Sequence, residues 1–327
     1  SEMCIRDRKQ KKKLHNKIMS FSLMFPGQGS QYNGMFKEHF SEFIEFKEAI
    51  DIGENFYKEN LSEIIFNDDE RISDTFYTQP ILLITSYACF KVWKNKGCPD
   101  PKVALGHSLG EVSAYLCSGV ISFDDALKLI RYRASFMIES KGNTKTKMSA
   151  VLGLDPDEID KILLDKKKNF LEAVNFNSPS QTVIVGNADE IESIKAVLIE
   201  NGAKKIIDLS VSVPSHSSMM NMASTKLKLA LDDINFKSQN FSVINNFDAK
   251  VSLTESEVKD KLAKQISNPV QWVDSMKRLK KYSIKTHIEF GPGKVLSRLA
   301  KQNRVEGEFN SVDNLEMFLK LLEEYGS

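Results

Sequence analysis

The chain has 327 residues, 41% of them hydrophobic, including 20 Phe. A chain of this size can bury about three quarters of its unfolded surface, as one large domain or a large one with an insert, and it is not a mainly disordered chain. The 45 basic and 44 acidic residues leave a formal net charge of +1, so no nucleic-acid surface is expected.

In chain order, residues 6–17 carry seven basic side chains against one acid. Residues 1–17 therefore read as a basic disordered tail or the remnant of an organelle-targeting leader. No positive-then-apolar signal segment opens the chain, and no apolar run nears the ~20 residues of a membrane span. Residues 18–25 form a buried strand, stopped by Pro26-Gly27-Gln28-Gly29-Ser30-Gln31. Residues 35–65 are helical with breaks. A helix follows over 81–94, with Pro80 in its first turn. The strand 102–106 passes directly into Ser108-Leu109-Gly110-Glu111 and a helix over 111–117, ended by Gly119. Ser122 with Asp125 three residues on fits a capping box that opens a helix over 123–139. Strand, sharp turn and helix are α/β grammar.

The character changes near Gly142-Asn143-Thr144. Strands over 148–154, 173–176, 181–185 and 205–211, with helices over 157–167 and 191–200, give the order β-α-β-β-α-β. Residues 147–213 are therefore expected to be an inserted small domain. A large α/β domain made of 18–146 and 214–327 surrounds it. The large domain resumes with helices over 219–231, 260–266, 270–281 and 294–301, strands over 241–244 and 286–290, and a closing helix over 315–324. The four cysteines (Cys4, Cys89, Cys98, Cys117) lack metal-ligand spacing and are too few for a disulfide framework, which favours a reducing compartment.

Gly106-His107-Ser108-Leu109-Gly110 matches G-x-S-x-G between an apolar strand and a helix, the context that exposes a nucleophilic serine. The helix after it aims unbonded N–H groups at the place where an oxyanion would develop. Of the five histidines, His15 lies in the tail, His39 in an exposed-looking helical stretch and His287 within a strand. His107 is turned away from the hydroxyl by the elbow and packs or orients the turn. His216, after Val213-Pro214-Ser215 at the edge of the insert, can approach Ser108 across a domain seam; the alternative is a capping or surface histidine. Asp208, Asp248 and Asp274 have no context that marks a triad acid. A Ser–His pair whose second ring nitrogen is held by a carbonyl remains open. On the helix 123–139, Arg133 shares the apolar face of Ala126, Ile130 and Met137, while Arg131 shares the polar face of Asp124 and Lys128. A buried guanidinium needs an anion, either a structural carboxylate or one carried by a substrate.

Six segments together resemble the malonyl-CoA:acyl-carrier-protein transacylase family. They are Phe25-Pro26-Gly27-Gln28-Gly29-Ser30-Gln31, Gly106-His107-Ser108-Leu109-Gly110-Glu111, Val174-Asn175-Phe176-Asn177-Ser178-Pro179, Val211-Ser212-Val213-Pro214-Ser215-His216, Asn268-Pro269-Val270-Gln271-Trp272 and Glu289-Phe290-Gly291-Pro292-Gly293-Lys294. They run in the family's order over about 20–314. The resemblance implies a hydrolase-like α/β core with a mainly parallel sheet and a ferredoxin-like small domain. It implies Ser108 as nucleophile, His216 as base, the N–H groups of Gln28 and Leu109 as oxyanion hole, Arg133 on the malonyl carboxylate, and the Gln265 carbonyl orienting His216. Ala134 stands where many relatives have Gly, which leaves the Arg133 grip possible.

The implied reaction is ping-pong: malonyl-CoA malonylates Ser108 and releases CoA, and the phosphopantetheine thiol of acyl carrier protein takes the group. No permanently bound cofactor and no metal are expected, and the carrier protein is a transient partner of a monomer. The basic segment implies a plastid or apicoplast stroma; the alternatives are a bacterial cytoplasm or a mitochondrial matrix. A serine hydrolase, with His287 as its base, is the competing activity.

Overall fold

A computed structural model describes residues 20–166, 169–211 and 213–326. The expected start of the first strand (Ile18 and Met19), the basic tail, Cys4 and His15 lie outside them. The described residues form strands β1 (Phe21–Phe25), β2 (Val103–Gly106), β3 (Thr146–Leu152), β4 (Leu171–Ser178), β5 (Gln181–Asn187), β6 (Lys205–Asp208), β7 (Ser242–Ile244), β8 (Thr286–Glu289) and β9 (Glu308–Ser311). Five of these make a parallel sheet in the order β7-β2-β1-β8-β9.

Every residue of β1 and β2 is buried, as in a parallel sheet covered on both faces. Alternation divides the two covers. Phe21, Leu23 and Phe25 face the larger core, with helices α1 (Lys37–Glu42), α2 (Ile44–Tyr57), α3 (Leu61–Phe66), α4 (Thr75–Asn95), α5 (Leu109–Cys117) and α6 (Phe123–Lys141) on that side. Met24, Val103 and Leu105 face the opposite way, onto Trp272, Met276 and Leu299.

The second sheet is antiparallel, in the order β4-β5-β3-β6. Helices α7 (Pro156–Lys166) and α8 (Ala188–Glu200) cover one face through Ile159, Leu163, Ile191 and Leu198. The element order is the β-α-β-β-α-β of a ferredoxin-like unit. Its β4 edge is fastened to the large sheet's side of the molecule: Phe176 N–H donates to Val270 O at 3.0 Å and Val270 N–H to Val174 O at 2.9 Å.

The remaining helices are α9 (Asn221–Ala230), α10 (Glu255–Gln265), α11 (Trp272–Lys280), α12 (Val295–Gln302) and α13 (Leu315–Tyr325). Four expectations need correction. Pro80 is in the interior of α4, not its first turn, because Asp74 caps the helix earlier by accepting from Phe76 N–H at 2.8 Å. The helix expected over 260–266 begins at Glu255, where Thr254 Oγ1 accepts from Glu257 N–H at 3.2 Å. His39 is buried, with Nε2 2.8 Å from Val312 O and its ring among Phe36, Phe46 and Phe318. β9 was not anticipated: Glu308-Phe309-Asn310-Ser311 has one apolar residue, and its extended form comes from pairing with β8. No helix among the described residues is long and apolar enough to cross a membrane.

Thr254 caps the first turn of α10 through its side chain. Thr254→Ala should cost about 1 kcal/mol of unfolding free energy, measured by urea titration.

Candidate active site

β2 ends at Gly106 and α5 begins at Leu109, so the chain must reverse around Ser108. Ser108 does this at φ 54° and ψ −112°, a conformation that costs a non-glycine residue about 1–3 kcal/mol. The surrounding glycines allow the approach. A Cβ on Gly106 would lie 1.9 Å from the Gly110 carbonyl carbon, and one on Gly110 would lie 1.9 Å from Phe25 O at the end of β1. A Cβ on Gly27 would lie 2.4 Å from His107 O, so the turn after β1 presses on the elbow as well.

Three elements converge on the hydroxyl. Ser108 Oγ is 2.6 Å from His216 Nε2 and accepts from Arg133 Nη2 at 3.0 Å. His216 lies beyond β6 at a left-handed φ of 66°, with its N–H donating to Ile266 O at 2.8 Å. Its Nδ1 is 2.8 Å from the main-chain carbonyl of Gln265. A carbonyl only accepts, so Nδ1 carries the proton and Nε2 presents its lone pair to Ser108. Burial, with the Arg133 charge adding to it, pushes the His216 pKa down to about 3. The imidazole is therefore neutral near pH 7.

Arg133 is 2% exposed. Its guanidinium donates to Gln79 Oε1 at 2.6 Å and Gln265 Oε1 at 3.2 Å, both neutral. Among the described residues no carboxylate reaches ion-pair distance of it, so a structural carboxylate is not its partner. Burial lowers its pKa to about 10, opposed by the charge of Glu111, and it remains a cation at neutral pH. Arg131 lies exposed over the Phe56 and Tyr57 rings.

Gln265, the last residue of α10, thus touches His216 through its carbonyl and Arg133 through its side chain, and its Nε2 donates to Ser108 O at 2.8 Å. The Gln28 side chain donates to Thr75 Oγ1 at 3.2 Å, while its main-chain N–H makes no backbone hydrogen bond. The Leu109 N–H opens α5 and has no intrahelical acceptor. His107 turns away, with Nε2 2.8 Å from Asn177 Oδ1 and its ring against Trp272. His287 Nδ1 is 2.7 Å from Ser22 Oγ within the sheet. Asp208, Asp248 and Asp274 pair with lysines rather than with His216.

A cleft of ≈190 Å³ beside the elbow is lined by Gln28 and His107 on one side and Ala150, Asn177 and Val183 on the other. It lies between the two sheets. Sequence reasoning missed three buried residues here: Gln79, Glu111 and Asn246. Glu111 stood in the quoted motif and Gln79 beside Pro80, but only contacts across the fold give either a task. No three His, Cys, Asp or Glu side chains among the described residues cluster as metal ligands.

The family model described as "Acyl transferase domain" matches residues 23–315. The malonyl CoA-acyl carrier protein transacylase of Bacillus subtilis (strain 168) is 38% identical over 87% of this chain and 90% of its own. The Escherichia coli (strain K12) protein of the same name is 37% identical over 87% of this chain and 93% of its own. Among solved structures, a malonyl-transacylase in complex with its type II PKS acyl-carrier protein superposes with a TM-score of 0.90 at 33% identity, covering 93% of this chain and 99% of that one. The malonyl-CoA:acyl carrier protein transacylase of Xanthomonas oryzae pv. oryzae also gives 0.90, at 30% identity over 94% and 99% of the two chains.

The burial of His216 predicts how stability responds to pH. The unfolded imidazole takes a proton below 6.5, whereas the native one does so only near 3. Between those values the unfolded state binds more protons, so this contribution grows as pH rises. Glu111 acts oppositely: burial raises its pKa from 4.5 to about 7, so its contribution declines over that interval. The stability of wild type minus that of His216→Ala should therefore rise from pH 3 to 6.5 and level off above, in urea titrations at stepped pH.

Proposed function

This chain belongs to the malonyl-CoA:acyl-carrier-protein transacylase family, and on that premise we propose the route by which its residues act. The enzyme is an S-malonyltransferase that moves the malonyl group of malonyl-CoA to the thiol of acyl carrier protein. Ser108 Oγ attacks the thioester carbonyl as His216 Nε2 takes its proton. The N–H groups of Gln28 and Leu109 hold the oxyanion. The intermediate collapses by breaking the C–S bond; CoA leaves with the proton from His216, and the malonyl group remains as an ester on Ser108. In the second half the phosphopantetheine thiol gives its proton to His216 and attacks that ester. The C–O bond to Ser108 then breaks, Ser108 Oγ takes the proton back from His216, and the malonyl group leaves as the carrier protein's thioester. The carbonyl of Gln265 keeps His216 in the tautomer both halves need.

One observation carries this reading: Arg133, a buried cation with no carboxylate at ion-pair distance among the described residues, is 3.0 Å from the Ser108 hydroxyl. Leaving it unpaired is costly, and a malonyl group brings the missing carboxylate. An acetyl group does not. A serine hydrolase would share Ser108 but has no use for this cation, and His287, the base expected for it, is engaged by Ser22 Oγ within the sheet at 2.7 Å. Residues 147–213 are taken as a small domain over the large one (18–146 and 214–327), limiting water at the ester through the cleft between them. We take the enzyme to work as a monomer without a resident cofactor. The relatives compared are bacterial, and a bacterial interior suits them. A plastid or apicoplast stroma rests on the basic residues 6–17 alone, which lie outside the described residues.

Mixing the enzyme with malonyl-CoA should add one malonyl group by intact mass, and Ser108→Ala should abolish it. Arg133→Ala should lower malonyl kcat/KM by about 10²-fold or more, the effect of removing a buried charged grip, and raise relative transfer from acetyl-CoA. Arg131→Ala, on the exposed face, should change neither by more than about threefold. An unchanged malonyl-to-acetyl ratio in Arg133→Ala would mean that another residue reads the carboxylate.

A further inference from the structure

Asn246 is fully buried and engages all four of its polar groups. Oδ1 accepts from Ser108 N–H at 2.7 Å and Nδ2 donates to Gly106 O at 2.7 Å. Its own N–H donates to Glu111 Oε2 at 2.7 Å, and its carbonyl accepts from Gln271 N–H at 2.9 Å. β7 pairs with β2 as far as Ile244 opposite Leu105. Beyond that point backbone pairing stops, and the Asn246 side chain supplies the next rung, spanning from Gly106 to Ser108. Glycines permit the turn at Ser108, but permission does not hold a strained residue in place.

We propose that Asn246 is a positioning residue for acyl transfer, its carboxamide clamping both ends of the elbow so that Ser108 Oγ stays on His216 and Leu109 N–H stays on the oxyanion. The proposal rests on the reading of Ser108 as nucleophile. The clamp uses the N–H of Ser108 itself, which leaves the oxyanion to other donors. It is also joined to the base: Glu111 Oε2 accepts from both Asn246 N–H and Gln265 Nε2, the latter at 3.1 Å, and the Gln265 carbonyl holds His216.

The clamp requires an acceptor facing Ser108 N–H and a donor facing Gly106 O. A carboxylate at this position turns a lone pair toward Gly106 O, whereas a protonated carboxyl restores the donor. Asn246→Asp is therefore a conservative variant whose function depends on its proton. The titratable and charged groups around it are Glu111 on α5, Asp248 with its partner Lys261, Arg133 on α6, and His107 and His216. Wild type carries the same set, so the ratio of variant to wild type isolates the new carboxyl.

The test is malonylation of Ser108 in the full chain, followed by rapid-quench mass spectrometry, with folding checked by circular dichroism and thermal melting. Asn246→Leu should slow acylation about 10²-fold or more at saturating malonyl-CoA, the scale of a misplaced nucleophile, with KM changed less than about threefold because Arg133 is untouched. The ratio of Asn246→Asp to wild type should climb about tenfold or more on going from about pH 8.5 to about pH 5.5. A loss confined to KM in Asn246→Leu, or a flat Asp-to-wild-type ratio, overturns the clamp. If Asn246→Leu does not fold, the Asp ratio decides alone. A wild-type chain that forms no malonyl ester overturns the nucleophile reading instead.

Discussion

The site depends on one close approach, that of the first turn of α5 to the end of β1. Gly110 lies so near Phe25 O that a Cβ would be 1.9 Å from it, and the same carbonyl accepts from His107 N–H at 3.0 Å. With the helix pressed this far onto the strand, the link from β2 has no room for an ordinary turn. Ser108 takes up the difference with a positive φ. The same approach brings the turn at Gly27 and Gln28 against His107 and sets the first N–H groups of α5 beside the Ser108 hydroxyl.

Around that turn, burial sets the electrostatics. It keeps His216 neutral, and it leaves Arg133 charged but, among the described residues, hydrogen-bonded to Gln79, Gln265 and Ser108 alone. The two effects reinforce each other, because the Arg133 charge also disfavours protonation of His216. Glu111 is the nearby carboxyl that could have neutralised the guanidinium. Its own burial lifts its pKa to about 7, and its hydrogen bonds go to Asn246 and Gln265. Among the described residues the cation thus meets only neutral groups at hydrogen-bond distance. The mass of the large core around β1 and α4 to α6 offsets that cost, as marginal stability requires of any strained site.

The second sheet contributes by position more than by chemistry. His216 enters the site from the chain that leaves β6, and Asn177, from β4, holds His107 away from Ser108 Oγ. The bridges between β4 and Val270 fix that strand beside α11, four residues beyond the Ile266 carbonyl that accepts from His216 N–H.

Local patterns in the sequence were enough for the α/β class, the β-α-β-β-α-β order, the elbow at Ser108 and the inward face of Arg133, because turn glycines and helical periodicity act between neighbouring residues. His216 was legible as a loop histidine at a seam, while Gln28, Leu109 and Gln265 were reachable only through family resemblance. Pro80 was misplaced because the Asp74 cap outweighed the usual preference of proline for a first turn. β9 was missed because an edge strand with one apolar residue is extended only by its neighbour. Asn246 had no signature at all. It meets Ser108 across 138 positions of sequence, through the order in which β7 and β2 lie in the sheet. Sequence by itself determined which groups could do chemistry; the tertiary structure decided which of them meet, because hydrogen bonds between distant segments depend on strand order and close packing rather than on local pattern.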